Sequence, residues 1–401
     1  VLRTIIISPD AGIAERLGET LAQFEGALQV SRIVDRYPDN VELSRILRAH
    51  APDVIFLSFE NSSQAVACVR FLESQSPGLQ IIAINTVCDA AHLRESMRAG
   101  IREFLTDPFD SESVSDAMRN VNALLQKKPP VYESTNHIIS FLPSKAGVGC
   151  TTIAMNICAA LARSKEGSVL LTDLDMNSGM LRFLLKLSTE YSILDALENS
   201  SAMDENIWPQ LTSSKFGMDV LHAGRVNPNI RIEPTQIQGL MQFMRRNYEA
   251  LVFDMSGNLE RYSIEVMQES RRVFLVCTPE IPSLHLAREK MGFLKTLGID
   301  TKVSLLLNRV QKKPPFTVAQ VEELVGAKVA ASFSNDYFAV SRATTAGQTL
   351  DPQSVIGQQC AAFADTLAER RPGAATEKRS KKFLEFFNVG QQPLTTQDQA
   401  R

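Results

Sequence analysis

From Thr4 to about Asn122 the chain alternates short runs of β-branched and aliphatic residues with segments whose apolar positions recur every three to four residues. The runs are TIIIS, LQVSRIV, DVIFLSF, LQIIAINT and EFLTD; the intervening segments are IAERLGETLAQF, VELSRILRA, AVACVRFLES and AHLRESMRA. Strand-like runs joined by helix-period crossovers predict a parallel sheet covered by helices. A second series starts at HIISFLPS and continues through SVLLTDLD, MDVLHAG, EALVFDMSG, RVFLVCTP, KVSLLLNRV and KVAASFS, closing in a helix near 352–370. Between them QKKPPVYESTN is polar and holds two consecutive prolines, which marks a linker. The pattern predicts one α/β domain over 1–125, a linker over 126–136, a second α/β domain over 137–372 and a polar, mostly disordered tail over 373–401.

At 401 residues and 44% hydrophobic content, the chain can bury two cores. A net charge of -3 gives no global attraction for nucleic acid or an anionic membrane. Arg245–Arg246 and Arg271–Arg272 read as solvated helix charges, so a nucleic-acid partner is not expected. The six cysteines are scattered without metal-like spacing, as in a reducing compartment. VLRTIIIS is too short for a signal peptide, and no apolar stretch approaches about 18 residues. The expected location is cytoplasmic.

One segment carries distinctive chemistry. SFLPSKAGVGCTT lies between a strand and an alanine-rich helix, where a glycine-rich loop can close its N–H groups around phosphate oxygens at a helix N-terminus. Residues Ala146 to Thr152 offer backbone donors for a β-phosphate, and Thr151 offers a hydroxyl for Mg2+. Cys150 stands where such loops place a lysine. LLTDLD and ALVFDMSG put Asp173, Asp175 and Asp254 at strand ends, where a parallel sheet binds its ligands. Solvated or helix-capping carboxylates are the alternative reading.

The second series resembles the deviant Walker A ATPases of the MinD/ParA group, whose loop reads K-G-G-x-G-K-[ST]. Lys145 matches the signature lysine; Cys150 departs at the second lysine and Ala146 at a glycine. The resemblance implies a P-loop three-layer α/β/α fold with a mostly parallel sheet, and a phosphate-binding set of Lys145, Ala146, Gly147, Val148, Gly149, Cys150, Thr151 and Thr152. It further implies that Asp175 orients water, that Thr151, Asp173 and Asp254 serve Mg2+, and that Asn308 contacts adenine. NRVQ lacks the acid of a guanine-reading N-K-x-D motif, so ATP is favoured over GTP. In this family the signature lysine reaches across a nucleotide-sandwich homodimer. Lys145 would then be catalytic in trans, compensating a charge that Cys150 lacks in cis. Hydrolysis is expected to be slow or absent.

The first series resembles a flavodoxin-like response-regulator receiver, with an unrelated flavodoxin-like domain as the alternative. Strand by strand, Ser8 and Pro9 fall at the acidic pair, Ser58 at the phosphoacceptor, Asn85 at the hydroxyl and Asp107 at the lysine. Only Asp10 remains as a nearby acid, which implies an atypical receiver kept for docking. Together with YSILDALENSSAMDE, PEIPSLHLAREK and FSNDYFAVSRATTAGQ, this makes the chain similar to the CpaE/TadZ pilus assembly proteins over roughly residues 1–372. That likeness implies an ATP-binding, dimeric localisation factor for Flp-type (tight adherence) pilus secretion machinery at the cell pole. Its implied partners are the pilus secretion ATPase and other assembly proteins. A nucleotide-free scaffold is the other function class, favoured by Cys150 and Ala146. In the tail, EKRSKKFLEFFNV would place Phe383, Phe386 and Phe387 on one helical face after a basic cluster. A weak membrane-surface contact, docking to a partner and folding back on the domain are the readings it leaves open.

Overall fold

A computed structural model of the chain describes residues 1–24, 26–164, 167–200, 203–226 and 231–368. The expectations for residues 373–401, including the KKFLEFF segment, lie outside the described residues. The chain divides into two compact units, one built on Val1–Ser134 and one on Thr135–Ser200 and the chain from Ile207 onward.

The first unit holds β1 (Leu2–Ile7), β2 (Leu28–Val34), β3 (Val54–Ser58), β4 (Gln80–Asn85) and β5 (Glu103–Thr106), all parallel, in the order β2-β1-β3-β4-β5. That is the flavodoxin-like doubly wound order. Helices α1 (Ala11–Ala22), α2 (Asn40–His50), α3 (Ser62–Gln75), α4 (Ala90–Arg98) and α5 (Ser111–Lys127) form the crossovers and the closing helix. Each starts at a side chain that accepts free backbone N–H groups: Asp10, Asp39, Asn61, Asp89 and Asp110. Period-two alternation sends Ile5, Ile7, Ile55 and Leu57 to one core and Ile6, Val54 and Phe56 to the other. Both faces are therefore covered, and the strands read as continuous apolar runs.

The second unit is an eight-stranded sheet in the order β13-β12-β11-β6-β10-β7-β9-β8. Its strands are β6 (Ile138–Pro143), β7 (Val169–Asp173), β8 (Ser213–Lys215), β9 (Met218–Leu221), β10 (Ala250–Asp254), β11 (Arg272–Cys277), β12 (Val303–Val310) and β13 (Val329–Ser334). Seven are parallel; β8 alone pairs antiparallel, with β9. The turn between β8 and β9 is Phe216-Gly217, both at positive φ, which is what a two-residue hairpin requires. Helix α6 (Cys150–Ser164) is buried on most of its surface, and its Ile153, Ile157 and Leu161 share a core with Phe274, Val276, Phe333 and Phe363. Helix Val355–Leu367 supplies Phe363 to this core and corresponds to the closing helix expected near 352–370.

The connections make the site. From β6 the chain crosses past β10 to reach β7, and from β10 it crosses past β6 to reach β11. The winding therefore reverses between β6 and β10. A doubly wound sheet opens a crevice at the carboxyl ends of two such strands, because their connections leave in opposite directions. No helix among the described residues is long and apolar enough to cross a membrane.

Candidate functional site

Pro143 ends β6, and the loop Ser144–Gly149 leads straight into α6. Its base is stitched to the sheet and to the helix Ile281–Thr296: Ser144 N–H donates to Val276 O (2.8 Å), and Ser144 Oγ lies 2.9 Å from Ser283 Oγ. Gly147 and Gly149 adopt φ of 79° and 88°, a region that strains any residue with a side chain. A Cβ on Gly149 would also collide with the Asn308 amide. Asn308, two residues before the end of β12, donates from Nδ2 to Val148 O (2.8 Å), while its Oδ1 accepts from Arg309 N–H (2.9 Å). Asn156 on α6 donates to Thr152 O (2.8 Å) and accepts from Leu350 N–H (2.7 Å). The loop is thus held from both ends. Lys145 and Thr151 are partly exposed on it, and Val148 and Cys150 are buried.

Beside the loop, β7 and β10 run in register so that Asp173 pairs with Asp254. Both are buried at the carboxyl ends of their strands. Asp173 accepts from Asp175 N–H (3.1 Å) and Leu181 N–H (3.2 Å). Burial pushes its carboxyl up to about 7, against these hydrogen bonds. Burial also raises Asp254 well above the ordinary carboxylate range, reinforced by the neighbouring Asp173. The neighbouring Thr151 and Cys150 side chains act against that rise, and Asp254 Oδ1 is buried with no hydrogen-bond partner. A buried oxygen left unpaired is costly unless something else fills the place. A hard oxygen-seeking cation suits two carboxylates and a hydroxyl, so these residues fit Mg2+.

The remaining predicted residues take defined positions. Asp175 caps its own turn, accepting from Asn177 N–H (3.2 Å) and Ser178 N–H (2.9 Å). Gly179 follows so closely that a methyl there would meet Asp173 Oδ2 and Asp175 O, each at 2.7 Å. Cys150 occupies the first position of α6 with its thiol pushed well up, by burial first and by Asp254 second, and so stays protonated. Sequence reasoning missed Lys290. On the helix Ile281–Thr296 it donates to Pro143 O and Gly257 O, both at 2.7 Å. The available signal was its spacing: residues 283, 287, 290 and 294 share one face, and the other three are buried.

In the first unit the positions expected to hold receiver chemistry are otherwise engaged. Asp10 accepts from Gly12 N–H (2.7 Å) and Ile13 N–H (3.3 Å) as the α1 cap. Ser8 Oγ donates to Asp10 O (3.0 Å), and Ser58 Oγ accepts from Glu60 N–H (3.3 Å). Asn85 accepts from Thr86 N–H (2.8 Å). Asp107 is paired with Arg16 Nε at 2.6 Å.

Residues 136–301 match the protein family described as AAA domain. The chain is 26% identical over 261 residues to a putative septum site-determining protein MinD of Emiliania huxleyi, covering 63% of this chain and 92% of that one. Among solved structures, a ParA family ATPase from Chlorobium tepidum superposes with a TM-score of 0.54 at 18% identity, over 57% of this chain and 99% of its own. The septum site-determining protein MinD of Pyrococcus horikoshii, solved with Mg-ADP, gives 0.50 at 20% identity, over 58% and 95%. The second unit therefore has the P-loop α/β fold of the MinD/ParA type.

Proposed function

We propose that this chain is a Mg·ATP-binding, nucleotide-gated homodimer that positions and helps assemble Flp-type pilus secretion machinery, in the manner of the CpaE/TadZ proteins. The observation that carries the nucleotide part is the unpaired, buried Asp254 Oδ1, at a strand end beside a glycine loop already in left-handed geometry. Thr151, Asp173 and Asp254 would hold Mg2+, which supplies charge neutralisation for the phosphates. The backbone of residues 146–152 would bind the β-phosphate, with Lys145 reaching a second copy and Asn308 lying on the adenine side of the loop. The relative solved with Mg-ADP supports the choice of ligand. The pilus role rests on the sequence resemblance and on a first unit whose chemistry suits docking rather than phosphorylation. Its partners are the pilus secretion ATPase and other assembly proteins at the cytoplasmic face of the pole, with a weak membrane contact through the tail. Hydrolysis is weak at most, because one preorganised cation is missing from the loop.

Equilibrium titration of the full chain with Mg·ATP, read together with sedimentation, tests the first part. Saturable binding with nucleotide-dependent dimerisation is expected, and Lys145→Ala should weaken both. Absence of binding would leave the second reading, a nucleotide-free scaffold, which the neutral Cys150 thiol beside Asp254 favours. In the host, deleting the chain should abolish surface pili and disperse the polar secretion ATPase; normal piliation would reject the pilus role.

A further inference from the structure

The loop lacks its lysine, yet a second cation lies against its base. Lys290 sits seven residues after Ser283, two turns along the same face of helix Ile281–Thr296. Ser283 already holds the loop base through Ser144. The Lys290 ammonium joins Pro143, the last residue of β6, to Gly257, three residues beyond Asp254. It therefore bridges the strand that launches the loop and the segment that leaves the carboxylate strand. An ammonium carries three donors; two are used here, and the third has no protein partner among the described residues. The ammonium is also near enough to the vacated position for its charge to act on the Cys150 thiol, with Glu260 the other charged group that acts on the ammonium. Burial lowers the ammonium to about 8, so it remains mostly charged at neutral pH.

We propose that Lys290 supplies, from within the same chain, the positive charge that Cys150 removes from the phosphate-binding loop. The inference rests on the nucleotide-binding reading and deepens it. The cation sits on a neighbouring helix rather than in the loop, so charge for binding is supplied while the loop still lacks its own preorganised cation for hydrolysis. Lys145 in trans then serves dimerisation, while Lys290 serves binding by each protomer.

A role limited to tying two carbonyls together predicts a different response from a role in phosphate binding, because only the latter depends on where charge is placed. The test is a double-mutant cycle on the full chain, with Mg·ATP affinity measured by calorimetry and thermal melting recorded without nucleotide. Lys290→Met should weaken affinity by about tenfold to a hundredfold, as expected for a lost charge-assisted contact. Cys150→Lys should raise affinity far more in the Lys290→Met background, where it restores it to within about threefold of the unaltered chain, than in the chain that keeps Lys290. Unchanged affinity in Lys290→Met overturns the proposal, as does an equal gain from Cys150→Lys in both backgrounds. Should Lys290→Met fail to fold, Cys150→Lys alone decides: a gain of about tenfold or more shows an unbalanced phosphate site and rejects Lys290. No Mg·ATP binding by the unaltered chain overturns the nucleotide reading itself, which separates the two failures.

Discussion

Asp173 and Asp254 stand side by side on adjacent parallel strands, in register, at the mouth of the crevice beside the loop. Two buried carboxylates at one strand spacing cannot both ionise cheaply, so the pair holds protons that exposed carboxylates would have lost. A divalent cation reverses that preference, because binding it requires the ionised forms.

Without Mg2+, this pair should make the chain less stable as pH rises. The folded pair keeps protons that the unfolded chain releases from about pH 4, and for Asp173 the advantage is lost as pH passes about 7. Melting curves in a chelator between pH 4.5 and 8.5 should show this decline in the second unit. Mg·ATP affinity should move in the opposite direction, strengthening with pH; a flat profile in both measurements contradicts the account.

Replacing Asp254 by asparagine removes the charge while keeping the shape. In a chelator at pH 8 the variant should melt higher, by about 2–4 °C for each kcal/mol of relieved repulsion. Its Mg2+-dependent ATP affinity should fall by about tenfold or more, since a neutral amide is a poor Mg2+ ligand. A variant that melts lower and binds normally would show that Asp254 is a structural residue.

Gly179→Ala should damage the carboxylate site without touching the loop. The added methyl would meet Ala223 Cβ at 2.6 Å as well as the two aspartate oxygens, so the turn after Asp175 must shift. A cost of about 1–3 kcal/mol is expected from such overpacking, visible in thermal melts together with weaker Mg2+ dependence. Unaltered melting would mean that this turn is free to move.

The first unit should not accept a phosphoryl group from acetyl phosphate. Ser58 offers no carboxylate for an acyl phosphate, and Asp107 brings negative charge, paired to Arg16, where a phosphate would need a cation. Ser58→Asp alone should restore nothing, because Ser8 and Pro9 still supply no metal ligand. Phosphorylation is readily followed by intact-protein mass spectrometry, where an added 80 Da on either protein, an increment of about one phosphoryl group, would end this reading.

Most strands of both sheets were legible because burial on both faces leaves an uninterrupted apolar run. β8 was not: SSK carries no alternation, and only the Phe216-Gly217 turn and its partner β9 make it a strand. The loop and the strand-end aspartates were legible because their chemistry is local in sequence. Lys290 was not, since it meets Pro143 across 147 residues. The Arg16–Asp107 pair spans 91 residues and was invisible for the same reason. Asn308 was legible as a residue near a strand end, but its grip on Val148 O emerges only from the packing of β12 against the loop.

That grip has a kinetic consequence. With Asn308 clasping Val148 and two glycines already in left-handed geometry, the loop has little ordering left to do when a ligand arrives. Capture should then proceed at the pace of encounter, and tighter or looser variants should differ mainly in how long the ligand stays. Residence time, rather than recruitment, becomes the clock that such a site can set.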